Sequence, residues 1–105
     1  MSTKKIERIR KQRCIAFNIV EAIRAGRINS AGTVLSGRTV AARSVNREDR
    51  NPPNGAVTVI LEEIGLDRDK SGRFLSRDIY ESKDALIEYI RELDKEILQL
   101  SAAPV

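Results

Sequence analysis

A chain of 105 residues, 41% of them hydrophobic, supports one core and no second, so residues 1–105 are expected to form a single domain. Residues 1–50 carry 12 Lys and Arg against 4 Asp and Glu, residues 51–105 carry 7 against 11, and histidine and tryptophan are absent. Such a basic half favours an anionic partner, with a solvated helix face as the plain alternative, and the lack of histidine excludes Cys/His zinc sites and histidine-based nucleophile pairs.

The opening Met1-Ser2-Thr3-Lys4-Lys5-Ile6 has no apolar stretch of signal-peptide type. No run of about eighteen apolar residues follows, so no membrane partner and a cytoplasmic location are expected. From Lys4 to Ala25, Ile6, Ile9, Ala16, Val20 and Ile23 recur on one helical face, widened by Phe17 and Ile19, and Gly26 supplies the stop. This predicts a helix over about 4–25. Its first turns hold Lys4, Lys5, Arg8, Arg10, Lys11 and Arg13 at the positive end of the helix dipole, which predicts fraying unless an anion holds them. Cys14 lies inside this stretch and reads as a small buried hydrophobe of a reducing compartment.

A loop of small residues follows, and Ser36 is placed to cap a short helix over about 38–45, with Val40, Ala41 and Val45 apolar. Asn46 to Gly55, with Pro52 and Pro53, is polar and must turn. Residues 56–61 suit either helix or strand. Helix over about 54–65 is preferred, because Val57, Ile60, Leu61 and Ile64 share one helical face and Gly65 can end it. Asp69-Lys70-Ser71-Gly72 has the composition of a tight turn, which predicts a β-hairpin over about 66–80. The last predicted helix, over about 82–101, is capped by Ser82. In it Leu86, Ile90, Leu93, Ile97 and Leu100 are spaced four, three, four and three, with Ile79 a heptad earlier. That seam either packs on the core or zips two chains together. A homodimer through Ile79, Leu86, Ile90, Leu93, Ile97 and Leu100 is expected, flanked by Tyr80 and Tyr89.

In order this is helix, short helix, turn, helix, hairpin, helix: a mainly α class. Within it, Leu35 to Leu75 resembles the winged helix-turn-helix of small bacterial DNA-binding regulators. Leu35-Ser36-Gly37-Arg38-Thr39-Val40-Ala41-Ala42-Arg43 resembles the supporting helix, Asn54 to Leu66 the recognition helix and Asp69 to Phe74 the wing tip. The resemblance implies double-stranded DNA as partner, with Asn54 and Thr58 addressing base edges. Arg38, Arg43, Arg47, Arg50, Lys70, Arg73 and Arg77 would then contact the backbone. It also implies a dimeric transcriptional regulator of bacterial, phage or plasmid origin. The segment that resembles the recognition helix departs from the pattern in having no Arg or Lys, and a helical protein-interaction module without DNA binding is the alternative. Asp67 to Asp78 also resembles an EF-hand loop, with oxygen residues at positions 1, 3 and 5 and glycine at 6. The interleaved cations and the short Asp78 at position 12 argue against a working site, so no metal and no cofactor are expected. No Walker loop or dinucleotide motif occurs, and no catalytic constellation stands out, so an enzyme is not expected.

Overall fold

A computed structural model describes residues 3–44 and 54–101. Its elements run α1 (Thr3–Arg24), β1 (Val34–Leu35), α2 (Gly37–Ser44), α3 (Asn54–Glu63), β2 (Phe74–Leu75), α4 (Ser76–Glu81) and α5 (Lys83–Ser101). The chain is mainly helical, with a small two-stranded antiparallel sheet in which Val34 pairs with Leu75 and Leu35 with Phe74.

Two helix ends follow from glycine. Gly26 and Gly65 sit at φ +78° and +97°, where a residue with a Cβ is strained. The backbone bonds around them are those of Schellman caps. Gly26 N–H donates to Ile23 O and Arg27 N–H to Ala22 O; Gly65 N–H donates to Glu62 O and Leu66 N–H to Leu61 O. Ser36 opens α2 as expected: its Oγ accepts the Thr39 N–H at 3.1 Å. Residues 56–61 are helical, and Val57, Ile60 and Leu61 are buried on the inner face of α3.

The core gathers Ile15, Ala16, Ile19, Val20, Ala22 and Ile23 of α1 with Val40 and Ala41 of α2, the three apolar residues of α3, Leu35, Phe74, Ile79, Leu86 and Ile90. α1 packs most extensively on α5. Arg13 of α1 is ion-paired with Asp94 of α5, and the late residues of α1 share the core with the early residues of α5, so the two helices run antiparallel. Ile9 and Leu93 are buried outside the main cluster. The early part of α1 and the late part of α5 therefore form a two-helix arm beyond the body, consistent with extents of 50 × 27 × 27 Å.

Several expectations are corrected. No hairpin forms over 66–80: Leu66 is used as a helix cap, and the reversal at 69–73 is closed by Asp69 N–H to Arg73 O at 2.8 Å, with no strand before it. Phe74–Leu75 instead pairs with β1, and Ser76 N–H donates to Thr33 O at 2.7 Å. Residues 76–81 then turn into α4, which buries Ile79. Ser82 joins the two helices: its hydroxyl donates to Ile79 O at 2.7 Å and closes α4, while its carbonyl accepts the Leu86 N–H at 2.9 Å and opens α5. Cys14 is exposed, because the buried arc of α1 runs through Ile15 and Ala16 and leaves position 14 outside. The cationic start of α1 is helical from Thr3, and Ile9 within it is buried. Of the expected dimer seam, Ile79, Leu86 and Ile90 are buried within the chain's own core, Leu93 is buried outside it, and Ile97 and Leu100 are half-buried along the arm.

Candidate nucleic-acid interface

The proposed contact residues separate into three groups. Arg38, Lys70, Arg73 and Arg77 are exposed, and none of their side chains is held in a salt bridge among the described residues. Three different segments supply them: the first turn of α2, the turn before β2, and α4. The sheet brings these segments together. Arg73 directly precedes β2 and Ser36, the residue that caps α2, directly follows β1, so both stand at the same end of the antiparallel pair. Arg38 lies two residues further on. The first turn of α2 contains no acidic residue.

Arg43 belongs to a second group, with a structural part to play. Arg27 Nε donates to Arg43 O at 2.7 Å and Arg43 Nη1 donates to Arg27 O at 3.4 Å. This exchange fastens the loop after α1 to the end of α2. Thr58 is half-buried on α3, and Asn54 is the first residue of that helix. The outward side of α3 otherwise shows Gly55, Val59, Glu62 and Glu63. Glu62 bonds Arg68 at 3.3 Å and Glu63 accepts from Tyr89 Oη at 2.7 Å. The third group, Arg47 and Arg50, lies outside the described residues.

Acidic side chains share the segment, and their geometry matters. Asp69 Oδ1 accepts the Ser71 hydroxyl at 2.6 Å, the Ser71 N–H at 2.9 Å and the Arg73 N–H at 2.9 Å. The Ser71 hydroxyl, then the Arg73 N–H, hold the Asp69 carboxyl below its usual range. Asp69 thus braces the turn that carries Lys70 and Arg73. The same bonds occupy an oxygen that an EF-hand reading assigns to calcium, and no group of three or more His, Cys, Asp or Glu among the described residues is placed to hold a metal.

Sequence reasoning left one set of cations out of the site. Lys4, Arg8 and Lys11 are exposed and spaced four and three, so they form one stripe of α1. The excess of cations in residues 4–13 was the available signal. Its placement on one stripe, on the same side as buried Ile15 four residues later, needed the helix to be fixed. A shallow depression along α5, lined by Tyr89, Glu92, Leu93, Lys95, Glu96 and Gln99, is walled by a single helix. No helix among the described residues is long and apolar enough to cross a membrane. No protein family, curated protein or solved structure matches the chain.

Proposed function

We propose that the chain binds double-stranded DNA, chiefly through its phosphate backbone. The observation that carries this reading is that Arg38, Lys70, Arg73 and Arg77 all lie within four positions of the two paired strands, are exposed, and are in no salt bridge among the described residues. Cations from several segments, fixed by one short sheet, match a row of phosphates better than a run along one flexible tail.

The winged-helix comparison enters this reading in altered form. In chain order, α2 and α3 correspond to a supporting and a recognition helix, and the turn at 69–73 to a wing tip. Among the described residues no second wing strand occurs, and α3 offers Thr58 and Val59 with no cation. Phosphate contacts place a protein on the duplex, whereas base-edge contacts select sequence. Binding with strong salt dependence and modest sequence preference is therefore proposed, with Asn54 and Thr58 as the side chains for any base-edge contact. A role in regulating transcription belongs to the same proposal. Fluorescence anisotropy with a labelled duplex at low salt tests it: association is expected, and an unchanged anisotropy at the highest protein concentration would remove the proposal.

A further inference from the structure

One side of the arm formed by α1 and α5 is left uncovered by the body. Along α1, Ile6, Arg10, Arg13 and Phe17 follow at spacings of four, three and four; along α5, Ile87, Arg91, Asp94 and Leu98 do the same. Each set is thus one stripe of its helix. The Arg13–Asp94 ion pair places the two stripes on the same side of the helix pair. Antiparallel packing sets Ile6 near Leu98 towards the tip and Phe17 near Ile87 towards the body. The contact with α3 lies on the opposite flank: Tyr89, which bonds Glu63 of α3, is two residues and so more than half a turn from Ile87. Ile6 and Ile87 are half-buried, Ile87 against the edge of the chain's own core. Phe17 is 43% exposed and Leu98 69%, the latter the most exposed large apolar residue among those described.

We propose that this side of the arm receives a second copy of the chain, giving a four-helix bundle in which the two arms run parallel and α1 of each copy lies over α5 of the other. Charge selects both the occupant and the orientation. With the arms parallel, Arg13 faces Asp94 of the partner subunit and Asp94 faces Arg13 of the partner subunit, so two intrachain pairs become a ring of four alternating charges. The apolar ends meet apolar ends, Ile6 on Leu98 and Phe17 on Ile87. The other two-fold arrangement, with arms antiparallel, sets Arg13 on Arg13 and Asp94 on Asp94, and like charges oppose it. Of the other two arginines on the stripes, Arg91 bonds Glu88 of its own helix at 2.7 Å, and Arg10, exposed and one turn before Arg13, adds to the like charge that the antiparallel arrangement would bring together. From Ile6 to Phe17 the helix rises about 17 Å. A patch of that length and two helices wide lies at the small end of stable interfaces, so the dimer forms by mass action and dissociates on dilution.

This association uses none of Arg38, Lys70, Arg73 or Arg77, so it stands or falls apart from DNA binding. Sedimentation equilibrium of the full chain across micromolar to millimolar concentrations tests it. The mass is expected to climb from 11.8 kDa towards twice that value. Leu98→Glu should weaken association at least about tenfold while leaving the helical signal and the melting temperature of the dilute protein unchanged. Arg13→Glu and Asp94→Lys should each weaken it, and an equimolar mixture of the two variants should associate more tightly than either alone. A species of 11.8 kDa throughout the range would overturn the proposal and leave the face to a different protein. Dimerisation unaffected by both Leu98→Glu and Phe17→Glu would overturn it equally.

Discussion

The salt dependence of duplex binding gives the sharpest test of the interface. If Arg38, Lys70, Arg73 and Arg77 each neutralise one phosphate, log K falls against log salt with a slope of about −3.6, from about 0.9 per contact. Between 50 and 200 mM salt the affinity then drops about 150-fold, since a fourfold rise in salt is about 0.6 of a decade. Changing Arg73 alone to Gln should bring the slope to about −2.7 and the drop to about 40-fold. Changing all four should flatten the dependence almost completely. The four side chains are exposed and outside every salt bridge among the described residues, so thermal unfolding of the variants should match the parent, and lost binding cannot be assigned to lost fold. Anisotropy titrations at four salt concentrations supply the slopes. A fourfold variant that keeps the parental slope would refute the reasoning, and a slope much steeper than about −3.6 would bring in the α1 stripe Lys4, Arg8 and Lys11.

The remaining expectations concern the fold. Leu86→Ala should cost about 2–5 kcal/mol in urea unfolding, because Leu86 is fully buried. Leu98→Ala, in dilute protein, should change stability by less than about 0.5 kcal/mol. Burial first, and then the bond to Glu63, raise the Tyr89 phenol above its ordinary value of 10.0. The stability this confers is fully present below 10.0 and is lost as pH rises beyond it. Tyr89→Phe should abolish that alkaline loss and cost about 1 kcal/mol at neutral pH. The depressed Asp69 carboxyl works in the opposite direction: its contribution is present above the unfolded value and is lost as pH falls through the folded one. Ser71→Ala should move the Asp69 titration midpoint upward, as followed by carboxyl carbon NMR.

The helices were legible where local chemistry writes their ends. Gly26, Gly65 and Ser36 act within one turn of themselves, and their predicted stops and start agree with the structure to within about two residues. The sheet was not legible. β1 has only two residues, too few for a period, and its partner lies forty positions away, so nothing near Val34 announces pairing. The hairpin expectation failed for the same reason. The turn residues at 69–72 are sufficient to reverse the chain, but they do not say which strand the returning Phe74 meets. The heptad along α5 was read correctly as apolar, and only the tertiary contact with α1 shows that its first part is consumed inside the chain. For the interface, composition identified the cations, while their grouping depended on the distant strand pairing.

The pairing of α1 with α5 also dictates the order in which the molecule can be assembled. During synthesis the first helix emerges with its apolar face bare, and the surface that will cover it is the last described segment to appear. Bond pairs such as Arg13 with Asp94 are 81 positions apart, so closing the core means closing a loop of most of the chain, which is entropically slow. Until α5 has left the ribosome, Ile15, Ile19 and Ile23 lack the Leu86 and Ile90 side of their core. Nascent chains halted before residue 83 are therefore the forms most exposed to aggregation and to capture by chaperones.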